Sequence, residues 1–74
     1  MNNFWEYPVE GNVYIDGNHM KVMVYKRKLT KNGMMCYLCN KEGIFEEPYK
    51  DSWILENLKW VAKYSSIQKG LRNL

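Results

Sequence analysis

DSWILENLKWVAKYSSIQKG, residues 51–70, is the stretch that decides the predicted fold, because the hydrophobic period of the chain changes where it begins. Before residue 51, apolar and polar residues alternate between turns that contain glycine, as they do in half-buried strands. From residue 51 onward, apolar residues recur three and four positions apart, as they do along one face of a helix. The sequence therefore predicts an α+β fold, in which a small antiparallel β-meander of three to five strands precedes one C-terminal α-helix.

The predicted helix covers residues 51–69. Asp51 or Ser52 supplies a side-chain oxygen that can cap the helix N-terminus, and Gly70 is the residue type that most often follows a helix. Leu58 and Val61 lie at the centre of the apolar face of this helix. We therefore expect both side chains to be buried against the sheet, where they would close the core.

Residues 52–56 allow a second interpretation. The stretch SWILE could instead form a last short strand, with the helix beginning only near Asn57. The fold would then be a small SH3-like barrel that carries a C-terminal helix. Both interpretations place the end of the chain against the sheet, so they predict the same fold class.

The predicted sheet covers residues 9–48 and follows a lead-in segment, residues 1–8. Its strands occupy residues 9–15, 20–29, 34–40 and 44–47. The turns between them contain Gly and Asn, which tolerate a positive φ; they lie at residues 16–18, 31–33 and 40–43. On the second strand, Val22 and Val24 share one face and Met23 and Tyr25 share the other. A chain of 74 residues with this pattern is expected to form a single domain, residues 1–74.

The composition narrows the class of protein. Hydrophobic residues make up 46% of the chain, which favours a folded domain over a disordered one. The longest apolar runs are far shorter than the roughly 20 residues that span a bilayer, so we expect no membrane partner. The first residues lack the apolar core of a signal peptide. We therefore predict a cytoplasmic protein, in which both cysteines are thiols.

The opening residues carry a resemblance to known proteins. Trp5-Glu6-Tyr7-Pro8-Val9 resembles the start of certain small SH3-like proteins that prophages encode. The composition, rich in Asn, Lys, Met and Ile and poor in Ala, resembles that of Firmicutes with AT-rich genomes and of their phages. The resemblance implies an SH3-like fold and an origin on a phage or another mobile element, which would place the protein in the cytoplasm of a bacterial host; it supplies no site.

Cys36-Tyr37-Leu38-Cys39 is the one motif with metal-binding spacing. A C-x₂-C pair can form half of a zinc site, but zinc in proteins usually takes four ligands. Only His19 offers a third strong ligand, so a carboxylate or a second subunit would have to complete the site. Because residues three apart in a strand point to opposite faces, the favoured interpretation is two small apolar side chains and no metal or other cofactor.

Catalysis finds little support in the sequence. His19 follows a turn, and no nucleophile, base and orienting group can be named around it. We therefore predict that the protein is not an enzyme.

Aromatic and basic residues provide the candidate binding surface. Aromatic residues make up 15% of the chain, more than a core of this size easily hides, and Trp, Tyr and Met are enriched at protein interfaces. The candidate binding residues are Tyr25, Lys26, Arg27, Lys28, Lys31, Tyr37, Trp53 and Trp60. The leading hypothesis is a non-enzymatic protein-interaction domain, an inhibitor or adaptor of a host protein, with a homodimer as a further option. The alternative is a nucleic-acid-binding module that uses the basic hairpin, residues 21–41.

Overall fold

An antiparallel β-sheet organises the protein, and one short helix packs on each of its faces. The computed structural model describes residues 8–74. Most of the predicted lead-in segment, including Trp5, lies outside the described residues. The α+β prediction is confirmed in its broad form, whereas the boundaries of several elements differ from those predicted.

Six strands and two helices follow one another along the described chain. They are β1 (Asn12–Ile15), β2 (Lys21–Thr30), β3 (Gly33–Asn40), β4 (Gly43–Ile44), β5 (Tyr49–Lys50), α1 (Asp51–Asn57), β6 (Lys59–Lys63) and α2 (Ile67–Arg72). The sheet order is β4-β3-β2-β1-β6, and β5 pairs with β3 as β4 does. Within residues 8–74 the sheet stays open and does not close into a barrel.

The predicted turns are confirmed, and local side chains stabilise them. In the first turn, Asp16 Oδ1 accepts hydrogen bonds from the backbone N–H of Asn18 and of Met20. In the hairpin between β2 and β3, Thr30 pairs with Gly33. Gly33 has a φ of +103°, which glycine adopts readily because it has no Cβ. The predicted strand 44–47 is wrong, because the chain bends after β4 and resumes pairing only in β5, beyond Pro48.

The continuous helix predicted for residues 51–69 is wrong, and so is the alternative strand at 52–56. The chain is helical in α1, extended in β6 and helical again in α2. Residues 59–63 also alternate as a strand does, since Trp60 and Ala62 are less exposed than their neighbours. A bulge at Val61 then places Trp60 opposite Tyr14 and Ala62 opposite Val13, on the two faces of the sheet. Residues 59–63 pair as a strand with the edge of β1 that β2 leaves free. This tertiary pairing outweighs the helical spacing of their apolar residues. Val61 is consequently 41% exposed rather than buried.

The two faces of the sheet carry separate cores. The α1-side core contains Tyr14, Val22, Val24, Cys36, Leu38 and Ile54. The α2-side core contains Val13, Met23 and Cys39, with Tyr25, Tyr64, Ile67 and Leu74 packed against it. The predicted division of β2, with Val22 and Val24 on one face and Met23 and Tyr25 on the other, is therefore confirmed. Leu58 is half-buried and packs on the α1-side core, although it belongs to no helix.

Gly11 should tolerate no side chain. Its φ is +94°, and an added Cβ would lie 2.5 Å from the carbonyl oxygen of Tyr64, which is backbone and cannot turn aside. We expect Gly11→Ala to lower the free energy of unfolding by about 2 kcal/mol or more. Gly17→Ala is the matched control, because Gly17 has no atom near its Cβ position and no positive φ. Equal urea midpoints for the two variants would contradict this account.

Ile54 should be the residue of α1 that contributes most to the stability of the α1-side core. Ile54 is fully buried, whereas the adjacent Leu55 in the same helix is 42% exposed. Ile54→Ala is expected to cost about 2–5 kcal/mol, and Leu55→Ala about 0.5 kcal/mol. Both substitutions remove a four-carbon side chain down to Cβ, so their difference in thermal or urea unfolding isolates burial. A similar loss in both variants would show that α1 is not docked as described.

Candidate interaction surface

A β-bulge at Tyr25 decides which basic side chains reach the surface. Before it, Val24 pairs with Leu38; after it, Lys26 pairs with Tyr37, so β2 has one extra residue at this point. The extra residue reverses the alternation of side chains along the rest of the strand. Arg27 therefore lies on the face of the α1-side core, opposite Cys36, while Lys26 and Lys28 lie on the other face.

Arg27 is thus engaged inside the molecule and does not extend the basic surface. Its guanidinium forms an ion pair and hydrogen bond with Asp51, the first residue of α1. The hydrogen bond to Asp51 raises the pKa of Arg27, so the guanidinium stays charged. The other oxygen of the Asp51 carboxylate accepts a hydrogen bond from Cys36 Sγ at 3.0 Å. These contacts join β2 and β3 to the start of α1. The binding role predicted for Arg27 stays a prediction.

Cys36 and Cys39 lie in different cores, on opposite faces of β3. The two thiols therefore cannot ligate one metal ion together, which removes the geometric basis of a zinc site on this pair. Both are free thiols and buried. Burial raises the pKa of both, and for Cys36 burial and the neighbouring Asp51 raise it to about 12. His19 is exposed in the turn after β1, with a φ of +61°.

The remaining basic residues lie around Tyr37. The rings of Tyr25 and Tyr37 are 6.3 Å apart and tilted by 58°. Lys26 Nζ lies 5.6 Å from the centroid of the Tyr37 ring, which is within the range of a cation–π contact. Lys28 is exposed on the same strand, and Lys31 is exposed in the hairpin turn. The structure thus brings together four of the eight predicted binding residues, Tyr25, Lys26, Lys28 and Tyr37, and places Lys31 at the hairpin turn beyond them.

Three aromatic rings form a row, which we call the aromatic strip: Phe45 and Tyr49, which are half-buried against the α1-side core, and Trp53, which is exposed. The Tyr49 and Trp53 rings are stacked, with centroids 4.5 Å apart, and the Phe45 ring meets Tyr49 edge-on at 6.3 Å. Trp53 is 41% exposed. An open groove of about 350 Å³ runs along the strip; its lining residues are Met35, Pro48, Tyr49, Lys50, Ser52, Trp53 and Glu56.

Trp60 does not join the aromatic strip. It lies in β6, is half-buried, and packs on the α1-side core. A separate groove of about 280 Å³ lies beside it and is lined by Tyr14, Leu55, Leu58, Lys59 and Trp60. The two tryptophans predicted to share one surface therefore belong to different parts of the molecule.

No family model, curated protein or solved structure matches the chain. Among residues 8–74, no group of three or more His, Cys, Asp and Glu side chains could hold a metal ion. The same part of the chain contains no helix with the length and apolar character needed to cross a membrane. The surface geometry is therefore the main guide to function.

Sequence reasoning missed Phe45, Tyr49 and Lys50 as surface-forming residues. Phe45 and Tyr49 fall on either side of the bend that breaks the predicted strand 44–47. Phe45 meets Tyr49, and Tyr49 stacks on Trp53. This row forms where β5 pairs with β3, a long-range event without a local signal. The regular spacing of Phe45, Tyr49 and Trp53 is visible in the sequence, but it does not coincide with any single helix or strand.

The stability of the protein should fall at alkaline pH partly through Cys36. Its pKa is raised from 9.0 to about 12 in the folded state. The unfolded chain releases this proton first, so the stability contributed by the thiol is full below pH 9 and is lost as pH rises toward 12. Urea unfolding between about pH 8 and about pH 11 should show a smaller decline for Cys36→Ala than for the wild type. Tyr14, whose pKa is raised to about 12 mainly by burial, is present in both proteins; the smaller part of its shift that comes from Cys36 adds to the expected difference. Parallel curves would contradict this role of Cys36.

Proposed function

We propose that the protein is a non-enzymatic protein-interaction domain and that the aromatic strip is its docking surface. The observation that carries the proposal is the stacked Tyr49–Trp53 pair, which lines an open groove while Trp53 stays 41% exposed. Large aromatic side chains in partly formed pockets supply most of the energy at protein interfaces. Stacking already orders the two rings, so a partner loses little additional side-chain entropy on binding.

The residues around the strip indicate the chemistry of the partner. Glu46 and Glu47 are exposed in the bend that joins Phe45 to Pro48, and Glu56 lines the groove. Lys50 is the single basic residue among the groove's lining side chains. The surrounding charge is therefore mainly acidic. The partner that fits is a protein segment that inserts an apolar side chain beside Trp53 and carries Lys or Arg next to it.

The connectivity supports an SH3-like architecture as part of this proposal. The first described strand, β1, pairs with the last, β6, and the short helix α1 immediately precedes β6. Such a return of the last strand to the first is the arrangement expected of a small, partly open barrel. With the resemblance of residues 5–9, it favours a protein encoded by a phage or another mobile element that inhibits or links host proteins.

The buried thiol of Cys36 is not a candidate nucleophile. The thiolate is the reactive form of cysteine. Because the pKa of Cys36 is about 12 and the side chain is fully buried, the thiol is protonated at neutral pH and inaccessible.

Selection of a random peptide library on the purified protein tests this function. We expect the selected peptides to pair an aromatic or aliphatic residue with Lys or Arg, and to bind at least tenfold more weakly to Trp53→Ala. Leu71→Ala is the matched control, because Leu71 is 50% exposed in α2, far along the chain from the groove. Peptides that bind Trp53→Ala and wild type equally, or that lose affinity for Leu71→Ala instead, would refute the aromatic strip as the docking surface.

A further inference from the structure

A row of lysines crosses three strands on the face of the sheet opposite Arg27. Lys28 pairs with Met35, and Met35 pairs on its other side with Lys50. Residues directly opposite each other in neighbouring strands point to the same face. Lys50, which lies outside the basic stretch of the sequence, therefore joins Lys28 around Met35. The adjacent row consists of Lys26 and Tyr37.

The spacing of these lysines suits a chain of phosphates. Neighbouring strands lie roughly 4.8 Å apart, so the Cα atoms of Lys28 and Lys50, two strands apart, are separated by roughly 10 Å. Lys26 and Lys28 are two residues apart on one strand, which corresponds to roughly 7 Å. All three side chains are exposed, and Lys31 is exposed in the nearby hairpin turn. Their long stems allow the ammonium groups to follow a flexible anionic backbone.

The sheet strands that form this face contain no acidic residue. β2, β3 and β5 carry none, and neither does α2, which packs on the same face and brings Lys69 and Arg72 in its last turn. Asp51, which follows Lys50, is paired with Arg27 on the opposite face, and two further acids lie at the margins. Glu10 accepts a hydrogen bond from the backbone N–H of Arg27 at the edge of β2, and Glu56 lies in the groove beside Met35.

Tyr37 supplies a flat surface in the middle of this face. It is half-buried, so one part of the ring is fixed against the sheet while another part is accessible. Its present polar neighbour is the flexible ammonium of Lys26. The Lys26 side chain can swing its ammonium group from the Tyr37 ring to a phosphate, and a nucleic-acid base can then stack on the ring. Basic and aromatic side chains commonly bind single strands in this way, without sequence preference.

We propose that this face, formed by Lys26, Lys28, Lys31, Tyr37 and Lys50, is a binding site for single-stranded nucleic acid. It is distinct in chemistry from the aromatic strip, whose surroundings are mainly acidic. The two surfaces adjoin at Met35 and Lys50, which line the groove as well. A protein with both sites can hold a nucleic-acid strand beside a protein partner.

Fluorescence anisotropy with a labelled oligothymidylate tests the site on the full chain. We expect saturable binding at low salt that weakens with a slope of about −2 in a plot of log K against log salt, as about three phosphates release counterions. Lys28→Glu and Lys50→Glu should each weaken binding about tenfold and make this slope shallower. Lys63→Glu is the control, because Lys63 is an exposed lysine in β6 and the change in net charge is the same.

The aromatic part of the site is tested separately. Tyr37→Ala should weaken binding about tenfold, whereas Tyr37→Phe should retain it, because stacking needs the ring and not the hydroxyl group. Thermal melts of both variants show whether Tyr37→Ala has also lost the fold; the two lysine variants decide the question in that case.

Several results would overturn the proposal. They are the absence of saturable binding at low salt, equal losses in Lys28→Glu and Lys63→Glu, and equally tight binding of a duplex. Competition by polyglutamate at the same charge concentration as oligothymidylate would assign the face to an acidic protein partner instead. Loss of peptide binding in Trp53→Ala bears only on the aromatic strip, so the two proposals fail independently.

Discussion

The single extra residue at Tyr25 is the constraint on which the arrangement of this molecule depends. Without it, the alternation of β2 would continue and Arg27 would lie on the opposite face, with Lys26 and Lys28 turned toward the α1-side core. The bulge instead places Arg27 where the Asp51 carboxylate can bind it. Lys26 and Lys28 remain exposed to solvent. A local irregularity of the backbone therefore determines both an internal contact and an external charge pattern.

Asp51 connects the side chains that the bulge positions to the first helix. One carboxylate contacts Arg27 of β2 and Cys36 of β3, and the same residue begins α1. Arg27 and Asp51 retain about a quarter of their side-chain exposure, so solvent reduces the desolvation penalty that fully buried pairs suffer. We regard the contribution of this contact as mainly positional. It fixes the start of α1, and with it the stack of Trp53 on Tyr49 and the entry into β6.

Local signals in the sequence predicted the sheet well and the C-terminal third poorly. Turn residues and period-two alternation located β2 and β3, because both depend on neighbouring residues. Residues 59–63 satisfy a helical and a strand period at once, and only the unpaired edge of β1 decides between them. The sequence predicts one surface for Lys26, Arg27 and Lys28, because nothing in this stretch indicates a bulge. The aromatic strip and Lys50 could not be predicted, since each depends on β5 returning to β3.

The pairing of β1 with β6 has a consequence for synthesis on the ribosome. Asn12 finds its partner in Lys63, so the nascent chain has to carry an unpaired strand edge until almost the whole domain has left the exit tunnel. The β2–β3 hairpin can form early from local contacts, but Val13 and Met23 stay uncovered until Ile67 has emerged as well. Long-range pairing of this kind slows folding and lengthens the exposure of apolar surface. This domain is therefore expected to complete its fold only when residues 59–67 are available to β1 and to the α2-side core, and chaperones that bind extended apolar segments would meet it first at β1.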